Sequence, residues 1–220
     1  MDNAYNELKK MVLDAIHKNG ACKDGYRDVL SADNIGIFSQ VLKDYWADVI
    51  TMHKHSSFSL FEEFYQANRE GFNRHGIYYN ESADNGYVLV TDSTQKIMVS
   101  GEARAWVFGD STVYGSGNAS IRLRERSTAV LEEIASCFAF DQSKVYANGR
   151  NRVNASGMVQ VFANGLCIVD AGERSTVYGV MWDRINALGD VVVKAHSDRK
   201  INLFGNARFE LTSVEEMNYE

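Results

Sequence analysis

The chain has 220 residues, 45% of them apolar, so it is long enough to bury a sizeable core and is not a disordered polypeptide. Its formal net charge is -6. The charge is unevenly placed, because residues 86–214 carry 14 basic and 13 acidic side chains and are close to neutral.

The N-terminal residues MDNAYNELKK lack the basic-then-apolar pattern of a signal peptide, and no stretch approaches the roughly 18 apolar residues of a membrane span. Three cysteines, Cys22, Cys137 and Cys167, are too few and too scattered for a disulfide framework or a CxxC metal site. We therefore expect a cytoplasmic protein that has no membrane partner and no cofactor.

Three helices are predicted within residues 1–85, which form the predicted N-terminal domain. The first covers residues 3–18 and stops at Gly20, and the second begins near Asn34. The third begins at the capping-box pattern of Ser59 and Glu62. The rest of the chain is predicted below to be a repetitive β-structure, whose first strand would expose unpaired backbone groups. We therefore expect these helices to cap that strand, with an independent domain as the alternative.

Residues 86–220 form the second predicted domain, and from Ala103 onward they divide into units of eight without any insertion. Position three is apolar in all fourteen units, and position five is Ala or Gly in nine of them. Apolar and polar positions alternate within each unit, which is typical of a half-buried strand. Position seven is often Gly, so each unit is predicted to be a short strand followed by a bend.

The number of units in one coil follows from the columns that stacked positions would form. With two units per coil, position one separates into a serine column and an alanine column, whereas three units per coil would mix them. We therefore predict an α+β fold in which a helical cap precedes a two-sided parallel β-solenoid of about eight coils, each of 16 residues. Three acidic residues form a C-terminal tail, namely Glu215, Glu216 and Glu220.

The units resemble the octapeptide repeats of A-x-V-x-A-x-G-N type in bacterial and phage-associated β-solenoid proteins. The resemblance covers roughly 125 residues and is specific for architecture. It implies a scaffold and no particular activity.

No catalytic constellation is found. His53, His55 and His75 with nearby carboxylates could form a metal site, but the spacing favours histidines of the cap or the surface. Cys137 and Cys167 fall at inward positions and are interpreted as small core residues. The inward serines could run as a hydroxyl ladder, and no His and Asp pair is placed to activate them.

Two outward features are candidate binding sites. The first is an aromatic ladder, which could stack on a ligand or on itself; its members are Tyr114, Tyr146, Phe162 and Tyr178. The second is a basic set on the opposite sheet, which could meet an anionic partner or be a solvated face; its members are Arg104, Arg122, Arg124, Arg152, Arg184 and Lys200.

The sequence favours a non-enzymatic interaction protein whose rigid solenoid binds a macromolecule, with protein favoured over nucleic acid as the partner. An inhibitor encoded by a mobile element is one form of this hypothesis. The alternatives are a structural protein that self-assembles into dimers or filaments, and an enzyme with a site between cap and solenoid. A second copy of the chain, giving a homodimer, is one of the expected partners.

Overall fold

The computed structural model of the chain describes residues 2–18, 23–52, 55 and 58–213. Gly20, Cys22, His53 and the acidic tail lie outside these ranges. The chain divides into two compact units, Met1–Tyr79 and Asn80–Glu220.

The first unit is helical and ends in a short strand. Its elements are α1 (Asp2–Lys18), α2 (Lys23–Ser31), α3 (Ile35–Asp44), α4 (Trp46–Met52), α5 (Phe58–Ala67), α6 (Arg69–Arg74) and β1 (Ile77–Tyr79). None of the helices within the described ranges is long and apolar enough to cross a membrane.

Aromatic side chains form the core of the helical unit. The rings of Phe61, Tyr65 and Phe72 lie within about 6 Å of one another, and all three side chains are buried. Asn34 caps α3, since its side-chain oxygen accepts a hydrogen bond from the Ile37 N–H over 3.0 Å.

The predicted helices differ from the observed ones in three respects. The helix predicted from Asn34 is interrupted at Tyr45, which separates α3 from α4, and α2 was not predicted. The third helix begins at Phe58, so Ser59 lies within its first turn and the predicted capping box is wrong.

The second unit is built of short strands. They are β2 (Tyr87–Thr91), β3 (Ile97–Val99), β4 (Arg104–Phe108), β5 (Thr112–Gly115), β6 (Ser120–Leu123), β7 (Thr128–Leu131), β8 (Ser136–Ala139), β9 (Lys144–Ala147), β10 (Arg152–Ala155), β11 (Gln160–Asn164), β12 (Ile168–Glu173), β13 (Thr176–Met181), β14 (Arg184–Gly189), β15 (Val192–Ala195), β16 (Ile201–Phe204) and β17 (Arg208–Leu211).

These strands alternate between two parallel sheets, which we call the even sheet (β2, β4 and so on to β16) and the odd sheet (β3, β5 and so on to β17). Most paired residues lie two units apart along the chain, as Val161 pairs with Val145 and with Val177. The first pair of the even sheet differs, because β2 and β4 pair 17 residues apart, as Val88 does with Ala105. The predicted α+β fold is confirmed: a helical region precedes a β-solenoid of two parallel sheets with about eight coils.

Inward positions form continuous buried columns. Val145, Val161 and Val177 are fully buried in the odd sheet, and Val153, Val169 and Ile185 form the equivalent column of the even sheet. The predicted register of the core is therefore confirmed.

The inward serines do not form a hydroxyl ladder. Each hydroxyl instead donates to the backbone carbonyl three residues earlier, as Ser143 Oγ does to Phe140 O over 2.7 Å. Ser111, Ser127 and Ser175 make the same bond. In three of these bends the same carbonyl also accepts the backbone N–H of the serine, so the hydroxyl adds a second hydrogen bond to that oxygen.

Several bends carry an acidic residue where the sequence pattern predicts Gly. Glu125, Glu133, Asp141 and Glu173 have φ values of 61°, 56°, 62° and 57°, in the left-handed region that side chains usually avoid. Three of the carboxylates compensate by accepting a backbone N–H of the preceding coil: Glu125 from Gly109, Glu133 from Gly117 and Asp141 from Glu125.

Candidate arginine–aromatic binding surface

The six predicted basic residues all lie on the even sheet or at the ends of its strands. Arg104, Arg122 and Arg152 are outward residues of β4, β6 and β10, and Arg184 begins β14. Arg124 directly follows β6, and Lys200 directly precedes β16. Five of the six fall into two groups with different surroundings, one of three residues and one of two.

The first group is interleaved with aromatic rings. The Arg122 guanidinium lies between two rings, 5.3 Å from the centroid of Trp106 and 5.8 Å from that of Phe138. The register causes this arrangement, because Trp106, Arg122 and Phe138 occupy the same position in three successive coils. Each contact has the geometry of a cation–π interaction.

Two further arginines repeat the arrangement. The Arg124 guanidinium lies 4.4 Å from the ring centroid of Phe140, and that of Arg104 lies 5.9 Å from the centroid of Tyr87. We call the whole set the arginine–aromatic surface; it consists of Tyr87, Arg104, Trp106, Arg122, Arg124, Phe138 and Phe140.

The second group belongs to a polar region in the later coils. Arg152 lies 3.7 Å from Asp170, and Lys200 donates to Asp183 over 2.8 Å. Asp170 also accepts a hydrogen bond from Asn186, which in turn accepts one from Asn202. These charges are largely paired, so they add less positive potential than the sequence pattern indicates.

The aromatic ladder lies on the odd sheet, and its ring faces are occupied. Tyr146, Phe162 and Tyr178 stack with centroids 4.7 Å apart and interplanar angles of 9° and 5°. Tyr114 is separated from them by Val130 of β7. A ligand would therefore meet ring edges and hydroxyl groups, since the faces that stack on sugars or bases already contact one another.

Neither described cysteine has the surroundings of a nucleophile. Burial raises the pKa of both the Cys137 and the Cys167 thiol, which keeps each in its less reactive protonated form. Among the described residues, no group of three or more His, Cys, Asp or Glu side chains could hold a metal ion.

The repeat pattern predicted the outward arginines but not the aromatic rings beside them. The signal was present: when the units are stacked two to a coil, Trp106 and Phe138 flank Arg122, and Phe140 follows Arg124. Grouping outward positions by coil would have found both contacts.

The fold and this surface define the class of the second unit as a parallel β-solenoid that carries an arginine–aromatic surface on one sheet. Comparison with protein-family models, with curated proteins and with solved structures found no match for the chain.

Proposed function

We propose that the chain is a non-enzymatic binding protein that uses the arginine–aromatic surface to bind an acidic face of a partner protein. The observation that carries the proposal is the placement of Arg122 between Trp106 and Phe138. Arginine and aromatic residues are enriched in the cores of protein interfaces and dominate their binding energy.

The packing prepares the arginines for binding. A long side chain held between two rings has already lost part of its rotational freedom, so binding costs less conformational entropy. The guanidinium edge keeps its N–H donors, which can meet a carboxylate in a bidentate arrangement. Phe138 is 37% exposed and adds apolar area beside these donors.

The charge of the surface favours an acidic partner. The outward positions of β4, β6 and β8, all of them described, hold arginine, serine and aromatic residues and no carboxylate. A positively charged partner would be repelled from this surface. A carboxylate-rich face would be attracted to it over a Debye length of about 8 Å.

Protein is favoured over nucleic acid for two reasons. Residues 86–214 carry 14 basic and 13 acidic side chains, so the repeat region lacks the broad positive potential of a phosphate-binding protein. The rings beside Arg122 face the guanidinium, so they are not open for stacking with bases.

The resemblance to octapeptide-repeat solenoids of bacteria and phages supports one form of this function, a cytoplasmic inhibitor encoded by a mobile element. Such an inhibitor would cover a functional acidic surface of its target. The rigid scaffold suits this role because it presents side chains at a fixed spacing.

The test compares two double variants as baits in a lysate of the organism that carries the gene. R122E/R124E reverses the charge of the proposed surface, and K144E/K194E makes the same change in net charge on the odd sheet. Wild-type and K144E/K194E should retain the same protein after nuclease treatment, and R122E/R124E should lose it. Raising the salt concentration should release it from the wild-type bait.

Circular dichroism first establishes that both variants fold. Equal loss of the captured protein from the two variants, or capture that nuclease abolishes, would contradict the proposal. Failure of the wild-type bait to retain any protein would contradict it as well.

A second candidate function, self-assembly, is favoured by the last coil. Leu203 and Leu211 occupy inward positions of β16 and β17, yet they are 39% and 76% exposed. Burial of these residues against a second copy would remove apolar area from water. Sedimentation equilibrium should then give a dimer for wild type and a monomer for L203K/L211K. The control L166K, which changes an exposed bend, should remain a dimer. A monomeric wild type rejects this candidate.

A further inference from the structure

A cavity of about 480 Å³ lies at one bend of the solenoid, where β13 and β15 end. Its volume falls in the range of small-ligand sites. Val180, Met181 and Trp182 from the earlier coil form one side of it. His196, Ser197, Arg199 and Lys200 from the next coil form the other side.

The repeat departs from its own pattern at this bend. The register between β11 and β13 shifts after Ala163, so that Val180 is an extra residue. Position seven of the repeat unit is Gly149 and Gly165 in earlier coils but Met181 and Ser197 here, and Met181 pairs with Asn164 as the last residue of β13. Bulges and breaks in a local rule are concentrated at binding sites.

Trp182 is fixed as a wall of the cavity by three contacts. Its ring lies against Gly179, where an added Cβ would come within 2.9 Å of the ring. It also packs edge-on against the ring of His196, with centroids 5.3 Å apart. Its indole N–H donates to the backbone carbonyl of Arg199 over 3.0 Å.

The polar side of the cavity is basic. Lys200 donates to Asp183, which lies outside the lining, and none of the described residues that line the cavity is a carboxylate. Within the described part of the chain, the Arg199 guanidinium has no ion pair and no hydrogen-bond acceptor. Its five N–H donors are therefore available to an anionic group.

We propose that this cavity binds a small organic anion that carries a planar aromatic group, of the size of a mononucleotide. The aromatic group would pack against Trp182, and the phosphate or carboxylate would accept hydrogen bonds from Arg199 and Ser197. This site is separate from the arginine–aromatic surface, so the inference does not depend on the proposed protein partner.

The test follows the indole N–H signal of Trp182 by NMR, assigned by its loss in W182F, during titration with four probes. AMP and phenyl phosphate carry both chemical features, whereas adenosine and inorganic phosphate carry one each. AMP, phenyl phosphate or both should shift the signal to saturation. Adenosine and phosphate should bind at least about tenfold more weakly, since each lacks one set of contacts. Saturation by AMP alone identifies a nucleotide, and saturation by both identifies a general aromatic anion.

Arg199→Gln should weaken binding at least about tenfold, because it removes a charge-assisted hydrogen bond and keeps the carbonyl that accepts from Trp182. Arg150→Gln, an exposed arginine at the same side of an earlier coil, is the control and should bind as wild type does. The proposal is overturned if neither AMP nor phenyl phosphate shifts the signal, or if both variants bind equally well.

Discussion

The carboxylate of Glu133 accepts a hydrogen bond from the backbone N–H of Gly117, one coil earlier, over 2.8 Å. Glu133 makes this bond from a left-handed backbone conformation with a φ of 56°. The bond therefore offsets a conformational cost of about 1 kcal/mol, and the two effects can be separated by substitution.

We expect Glu133→Ala to destabilise the fold by about 1 kcal/mol, because it removes the acceptor and retains the left-handed strain. Glu133→Gly removes the same acceptor but also the strain, so its free energy of unfolding should lie close to that of wild type. Urea unfolding measures the free energy of unfolding of both variants. Equal destabilisation by Ala and Gly would show that strain at this bend is negligible.

Gly115→Ala should destabilise the core by overpacking, by about 1–3 kcal/mol. An added Cβ would lie 2.5 Å from Cδ1 of Ile121 and 3.1 Å from Cδ2 of Leu131. Ile121→Val removes the nearer atom, so the double variant G115A/I121V should be more stable than G115A alone. Thermal unfolding checks this order.

Gly172→Ala is the control for that experiment. Its added Cβ would meet only the carbonyl oxygen of Ala155, at 3.7 Å. Its stability should equal or exceed that of wild type, since Ala lowers the entropy of the unfolded chain. A comparable loss in both variants would argue against a specific clash at Gly115.

Val161→Asp should cost at least about 3 kcal/mol, because it places an unpaired carboxylate in a fully buried column. Gln160→Asp introduces the same side chain one residue earlier on the outward face, and it should be tolerated. Chemical denaturation followed by circular dichroism gives both values. A V161D protein with an unchanged unfolding midpoint would refute the observed register.

The pair formed by Asp110 and Arg126 predicts a pH dependence. Hydrogen bonds from Arg126, at 2.7 and 2.6 Å, hold the pKa of Asp110 below its usual value. A folded-state pKa below the unfolded one means that the pair stabilises the fold above pH of about 4 and that this contribution is lost on further acidification.

NMR titration of the Asp110 carboxyl group measures this effect directly. Its pKa should return towards the usual value in Arg126→Gln, and the acid-dependent part of the stability should shrink with it. Because both side chains are exposed, added salt should reduce the difference between variant and wild type. An Asp110 pKa that is the same in both proteins would contradict the prediction.

The coil period and the buried columns could be predicted from the sequence because both repeat at a fixed spacing. The break at Tyr45 could not, because the apolar helical spacing continues across it from α3 into α4. The acids at Glu125 and Glu133 were unexpected, since a Gly-rich pattern does not show that a carboxylate can compensate for a left-handed backbone. The cavity beside Trp182 arises from an extra residue whose structural effect appears only when coils stack.

From β4 onward, paired strands are two units apart along the chain, and this spacing limits how such a chain can change in length. Deleting residues 143–158 would remove one whole turn and bring Val161 beside Ala129, with every later side chain still in its own column. Deleting a single unit would exchange the two sheets, and deleting a number of residues that is not a multiple of eight would move buried side chains into water. The solenoid can therefore become longer or shorter by whole coils. Duplication or loss of the part of the gene that encodes one coil would change the length of the two sheets and preserve the fold.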